Sequence, residues 1–252
     1  MRLEERRTIV FVLVAGVIGA VLFMPSVYFL GLWLAPPRPV PEARPAPALL
    51  REAIWARADG GPATELRPVN PINFVQHRVC RALAARQDDP KLRVERRTEC
   101  LKQLPAIQAV DYLSDLHMRD HQLEARSFRM GISQFATAVW LTRSWTKESL
   151  LDTLAARGEF GQGWRGVDAA SRGFFGRDAA GLTLAQAAFV ASRVGDSGSD
   201  PWCEPEAATG LRNRVLGRML ESGAIDQASF ARARADPLEL VTPPGNRPSC
   251  GK

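Results

Sequence analysis

The chain has 252 residues, 46% of them hydrophobic and 24% charged, the balance of a protein able to bury a core rather than of a disordered tail. Thirty-three Lys and Arg against 27 Asp and Glu leave a net charge of +6. No Lys/Arg run exceeds two residues, so the mild basic excess points to anionic headgroups or pyrophosphates and away from nucleic acid.

From Ile9 to Ala35 there is no charged residue. Twenty helical residues already cross a hydrocarbon core of about 30 Å, so residues 9–35 are expected to form a transmembrane helix. A cleavable signal peptide would have a shorter apolar core and a small-residue cleavage site, whereas here Leu34-Ala35 runs into Pro36-Pro37. Arg2, Arg6 and Arg7 precede the segment, which predicts a cytoplasmic tail at 1–8 and an exported remainder.

Residues 36–47 (PPRPVPEARPAP) predict an extended proline-rich linker that lifts the domain off the bilayer. A short helix is expected over Leu49–Ala58 and another over Asn73–Arg86, the latter ended by Asp88-Asp89-Pro90. Beyond Pro105, apolar residues recur at helical spacing through Ile107, Val110, Leu113 and Leu116, then through Ile132, Phe135 and Val139. Thr146 is placed to cap a third helix, and Leu184–Ser192 and Leu211–Leu220 predict two more, the last stopped by Gly223. No strand pattern of useful length occurs, so the expected fold is mostly α. The expected domain covers 48–241, with 105–238 carrying the clearest pattern and 242–252 a tail.

Cys80, Cys100, Cys203 and Cys250 form no C-x-x-C pair. In an exported domain they permit two disulfides in three connectivities. Cys80–Cys100 with Cys203–Cys250 closes the most local loops, and buried free thiols are the alternative. His117 and His121 stand one helical turn apart, a spacing that can chelate a metal. No third ligand accompanies them, and a surface pair is the expected arrangement.

The segment from Thr146 to Leu238 carries a more specific pattern. Leu150-Leu151-Asp152, Phe160-Gly161, Gly163, Gly166, Ala169-Ala170, Phe174-Phe175-Gly176-Arg177 and Leu182-Thr183-Leu184 follow one another in register, and Arg212, Val215-Leu216, Met219 and Gly223-Ala224-Ile225 continue it. This resembles the C-terminal half of family 51 peptidoglycan glycosyltransferases, the polymerising domain of class A penicillin-binding proteins and of monofunctional transglycosylases. The resemblance implies a lysozyme-like α-helical domain acting on lipid II, the undecaprenyl-pyrophosphate-linked disaccharide, at the outer face of the bacterial inner membrane. Membrane, lipid II or a peptidoglycan strand, and a cell-wall synthase or division proteins are the partners it implies.

Family enzymes use one Glu from an E-D-x-x-F-x-x-H motif as general base and a second from R-K-x-x-E, separated by a G-[AG]-S-T-I-T-Q-Q string. Counting back from Thr146, the second Glu falls on Gln134, and the best remnant of the first motif, Asn70 to His77, places Asn70 where Glu belongs. An amide cannot accept the proton that a carboxylate takes. Glycan polymerisation is therefore expected to be impaired or absent. An active polymerase with atypical residues and a lysozyme-like hydrolase are the alternatives, and Glu99, Asp111, Asp115, Glu124 and Glu159 are acids that either could recruit. Each is expected to be a solvated helix-face charge. The resemblance makes Gln134, Arg129, Arg143, Lys147 and Arg177 candidates for substrate binding, with Arg126, Arg129, Arg143 and Lys147 read as one basic cluster around the cleft helix. No cofactor is implied, and a divalent metal enters only with catalysis. S-x-N and K-T-G motifs are absent, so β-lactam binding is not expected.

Overall fold

Among the described residues the regular elements are helices, and six of them start on a capping side chain. The computed structural model describes residues 23, 25–63, 65–195, 200–241 and 250. Residues 25–34 form α1, followed by α2 (Ala48–Arg57), α3 (Pro71–Ala85), α4 (Pro90–Gln103), α5 (Ile107–Asp120) and α6 (Phe128–Ser144). Then come α7 (Lys147–Arg157), α8 (Val167–Phe175), a 3-10 turn at Ala179–Gly181, α9 (Leu184–Ser192), α10 (Pro205–Glu221) and α11 (Gln227–Ala235). Among the described residues the only extended pairing is a single bridge between Glu159 and Arg165.

The core is built around α9. Its sequence LAQAAFVAS is apolar on every side, which suits a helix surrounded by others. Ala185 and the run from Ala187 to Ala191 are inaccessible, and α9 packs against α2, α8, α10 and α11. The Thr183 hydroxyl accepts from the Gln186 backbone while the Gln186 side chain accepts from the Thr183 backbone, a reciprocal cap that fixes the start. Beside α9, Phe174 is enclosed by Trp164, Phe189 and Trp202 at centroid distances of 4.7, 4.9 and 5.7 Å. The turn feeding α8 needs its glycine: Gly166 has φ +81°, and a Cβ there would lie 2.7 Å from the Ala156 carbonyl oxygen.

Several expectations are refined by the structure. Helix α4 is not marked by apolar periodicity, because Leu92 and Val94 are exposed among six exposed charged residues. Asp89 and Pro90, expected only to stop α3, also start α4 as its N-cap and first residue. Helix α10 begins at Pro205, six residues before the expected start, and α11 follows Gly223 with Asp226 as its cap. The transmembrane expectation for 9–35 falls largely outside the described residues, and among those described no helix is long and apolar enough to cross a membrane.

The proline-rich segment 36–47 is extended but packed on the domain rather than free. The Glu42 and Ala46 amides donate to Thr153 Oγ1 and Asp152 Oδ1, each at 2.9 Å, and the Arg38 guanidinium lies 5.4 Å from the Trp140 ring. His117 Nε2–H donates to the Pro37 carbonyl at 2.8 Å. Ahead of this strap, α1 seats on α6: a Cβ on Gly31 would stand 2.5 Å from the Ile132 carbonyl oxygen, so only glycine allows the approach. Disulfides join Cys80 to Cys100 and Cys203 to Cys250, the first clamping α3 to α4.

Candidate functional site

Helix α5 is apolar on one side through Ile107, Val110, Leu113 and Leu116, but Gln108, Asp111, Tyr112 and Asp115 recur at i, i+3, i+4 and i+7. That polar stripe faces a cavity of about 360 Å³. Ile54, Arg57 and Ala58 enter it from the end of α2, Arg78 and Arg81 from α3, Gln134 from α6, Leu154 from α7, and Val194-Gly195 from the turn after α9.

Asp111 is the most buried acid of this wall, 8% exposed. Arg78 Nη2 donates to its Oδ1 at 2.7 Å, and Arg81 Nη1 lies 3.7 Å from its Oδ2. Burial nevertheless pushes the Asp111 carboxyl above the usual aspartate range, against the two guanidiniums that favour its ionised form. The same burial lowers Arg81 from the ordinary arginine value, with Asp111 opposing. Gln134 joins α6 to α5 through its Nε2, which donates to the Asp111 carbonyl at 3.4 Å.

At the α2 end, Asp59 has φ +57° and follows Ala58 out of the helix. Gln108 Nε2 donates to its Oδ2 at 2.7 Å and Arg218 Nε approaches its Oδ1 at 2.9 Å, so both oxygens are engaged. Burial raises the Asp59 pKa as well, in opposition to Arg218 and Arg57. Asp115 Oδ2 is 3.0 Å from Arg119 Nε. Tyr112 lends its hydroxyl oxygen to the Glu159 amide at 2.8 Å and is pushed up mainly by burial. The wall thus presents arginines, amides and a phenol, and its acids are already held by cations.

Of the sequence-derived candidates, Gln134, Asp111 and Asp115 line the cavity and the others lie elsewhere. Asn70 is exposed and caps α3, its side chain accepting from the Asn73 amide at 2.7 Å. Phe74 and His77 of the same remnant are core residues: Phe74 meets Phe135 edge-on at 5.3 Å, and His77 Nδ1–H donates to the Cys100 carbonyl at 3.0 Å. The four cations expected as one cluster are dispersed. Arg129 Nε donates to the Leu34 carbonyl near the start of α6, and Arg143 Nε to the Val69 carbonyl near its end. Fourteen residues of helix separate these two by about 21 Å. Lys147 pairs with Glu52 at 3.5 Å and covers the Trp55 ring, Arg126 is exposed in the turn before α6, and Arg177 is exposed just past α8.

The expectation of solvated acids holds for Glu99 and Glu124, which are exposed, and fails for Asp111. Glu159 is half-exposed and pairs with Arg119 at 3.2 Å. His117 is not a surface residue: it is buried, its pKa lowered chiefly by that burial, and it holds the strap. His121 Nδ1–H donates to the His117 carbonyl at 2.9 Å. No group of three potential metal ligands occurs among the described residues.

Residues 108–220, the stretch from the cavity-facing helix to the end of α10, match the transglycosylase family model. The chain therefore carries a transglycosylase domain of family 51, distantly homologous to the corresponding part of class A penicillin-binding proteins. It is 30% identical to penicillin-binding protein 1A of Pseudomonas aeruginosa over 128 residues, 49% of this chain and 16% of that one. Against penicillin-binding protein 1A of Aquifex aeolicus the identity is 31% over 116 residues, covering 46% and 16%. The chain spans about a sixth of the length of these relatives. The crystal structure of penicillin-binding protein 1A from Haemophilus influenzae is 21% identical over 54% of this chain and 17% of its own, with a TM-score of 0.36, too low a likeness to add to the assignment.

Proposed function

We propose that this chain is a membrane-anchored, exported homologue of peptidoglycan transglycosylases that keeps a pocket for lipid II or a glycan strand and has lost the proton transfer needed for polymerisation. One observation carries the reading: the cavity presents an amide, Gln134, where the family register expects its second Glu, and the acids around it are engaged by arginines or Gln108. A general base needs a free lone pair within reach of the sugar hydroxyl. The cavity also supports a revised register for the first motif. Asn70 lies away from it, whereas Ala58 lines it and Asp59 follows, so Ala58-Asp59 takes the place of Glu-Asp, with the acid replaced by a methyl group.

Arg57, Arg78 and Arg81 supply the positive field and fork-shaped donors that suit a pyrophosphate. A chain that binds without turning over acts on wall synthesis by holding substrate or product, or by engaging a synthase. Calorimetric titration of the purified full chain with lipid II in detergent tests this. Binding that weakens in Gln134→Ala is the expected result, with moenomycin as a separate probe of the donor side. Failure to bind lipid II, moenomycin and glycan strands alike refutes it.

A second reading has its own observation. Asp111 lies beside Gln134 with its proton affinity raised by burial, which is how a carboxylic acid is tuned for general acid–base work. A polymerase using Asp111 would form glycan with wild-type protein and lose it in Asp111→Asn.

A further inference from the structure

A second depression lies on the far side of α7 from the cavity. Leu154 lines the cavity, whereas Asp152, Ala155 and Ala156 line a groove of about 910 Å³, walled on one side by the strap and on the other by the start of α8. Its size is that of a ligand pocket. The strap is held in place to form this wall, because the Glu42 and Ala46 amides are fastened to α7 at Thr153 and Asp152. Ala46, Ala155, Gly166, Val167 and Ala169 make a floor of small side chains, on which an extended chain can lie close.

Charge sets what the groove can take. Three arginines and four acids line it. Arg165 is committed, its Nη2 donating to both Asp120 oxygens. Arg172 pairs with Asp178 at the surface, where the two side chains are 59 and 76% exposed, and such a pair exchanges readily for another partner. Arg44, Glu42 and Asp168 have no side-chain partner among the described residues. The most buried of these charges is Asp152, 9% exposed. Its Oδ1 accepts from the Ala46 amide at 2.9 Å and stands 3.8 Å from Arg51 Nε, and no hydrogen bond engages its Oδ2 among the described residues. A carboxylate oxygen buried this far and left without a donor calls for one from a ligand.

These charges exclude the simpler ligands. A polyanion would meet four acids, and an apolar ligand would strip water from seven charges without pairing them. A bare sugar would look for an aromatic face, and no aromatic residue lines the groove. A peptide bearing both an ammonium and carboxylates answers both signs at once. The peptide branch of lipid II, and of the strand made from it, has this composition.

We propose that the groove between the strap and α7–α8 binds the peptide branch of a peptidoglycan precursor or strand, its ammonium on Asp152 and Asp168 and its carboxylates on Arg44 and Arg172. The inference rests on this chain binding such a molecule through its cavity, and it adds a second point of recognition on the opposite face of α7.

Titration calorimetry of the full chain in detergent tests this with the probe N-acetyl-L-Ala-γ-D-Glu-L-Lys-D-Ala-D-Ala, which has an ammonium and carboxylates but no sugar or pyrophosphate, and with lipid II in parallel. Wild-type protein is expected to bind the peptide. Arg44→Glu, at an exposed residue with no partner to lose, should weaken that binding by about tenfold or more. Ala169→Trp, which fills the floor, should do the same, and should it fail to fold, Arg44→Glu alone decides. Arg86→Glu makes the same charge change on an exposed residue outside the groove and should leave the affinity unchanged. Acetylating the lysine of the probe should abolish binding. An affinity untouched by Arg44→Glu, or lowered equally by Arg86→Glu, overturns the site, as does equal binding of the acetylated probe. Lipid II binding without peptide binding overturns the groove and leaves the cavity reading standing. Absence of both overturns the two together.

Discussion

Replacing Asp111 by Asn asks whether burial or ion pairing governs the acid in the cavity wall. Coulomb's law at an effective dielectric of about 20 gives a gross attraction of about 4–6 kcal/mol for a charge pair at the 2.7 and 3.7 Å separations from Arg78 and Arg81. Both arginines reach solvent, with side chains 44 and 32% exposed, so water screens much of that attraction. Against it stands the desolvation of a carboxylate only 8% exposed, a cost of several kcal/mol. The raised pKa of Asp111 says that desolvation wins. Asn is the neutral isostere, so Asp111→Asn is expected to lie within about 1 kcal/mol of wild type at pH 7, or above it, a change in Tm of under about 4 °C. Were the pair net stabilising, the loss would be about 3–5 kcal/mol.

The pH dependence has a definite sign. With the folded-state pKa above that of the unfolded chain, the stability from Asp111 protonation is fully present below the ordinary aspartate value and is lost as pH rises through the folded value. Asn does not titrate, so the variant should gain on wild type between pH 4 and pH 7. Thermal unfolding of the full chain in detergent, followed by far-ultraviolet circular dichroism at both pH values, checks this. A fall in Tm of more than about 10 °C at pH 7, with the gap growing as pH rises, refutes the reasoning.

Other perturbations follow from the same contacts. Gly31→Leu places a side chain against the Ile132 backbone and should detach α1 from α6, seen as faster amide exchange in residues 25–34 with the α9 amides unchanged. Removing the Cys80–Cys100 disulfide by paired Ser substitutions opens a loop of sequence separation 20, worth about 3 kcal/mol of chain entropy, and should lower Tm by about 6–12 °C. Phe174→Ala hollows the aromatic cluster beside α9 and should cost about 3–5 kcal/mol in denaturant unfolding, whereas Phe128→Ala, at a residue 77% exposed, should cost under about 0.5 kcal/mol.

What could be read from the sequence was what is decided locally. Thr146 caps α7, and Gly223 with φ +76° follows the end of α10, because each depends on a few neighbouring residues. Helix α4 shows no apolar periodicity because it packs chiefly on α3 and leaves both charged and apolar residues in water. The cavity is harder still, since α2 and α6 reach it from positions 58 and 134 and no local pattern joins them. A two-residue match therefore drew attention to Asn70, while Ala58, with no side chain to advertise a role, went unmarked. The signal for Asp111 was available: four polar residues at i, i+3, i+4 and i+7 on a helix with an apolar side at Ile107, Val110, Leu113 and Leu116 require something polar to face.

The most direct measurement is polymerisation of lipid II by the purified full chain in detergent, with products resolved as glycan strands on a gel. No polymer above a protein-free control is predicted, under conditions where the same preparation binds lipid II. Glycan strands formed by wild-type protein and absent with Asp111→Asn would contradict the account and make the buried aspartate a catalytic acid.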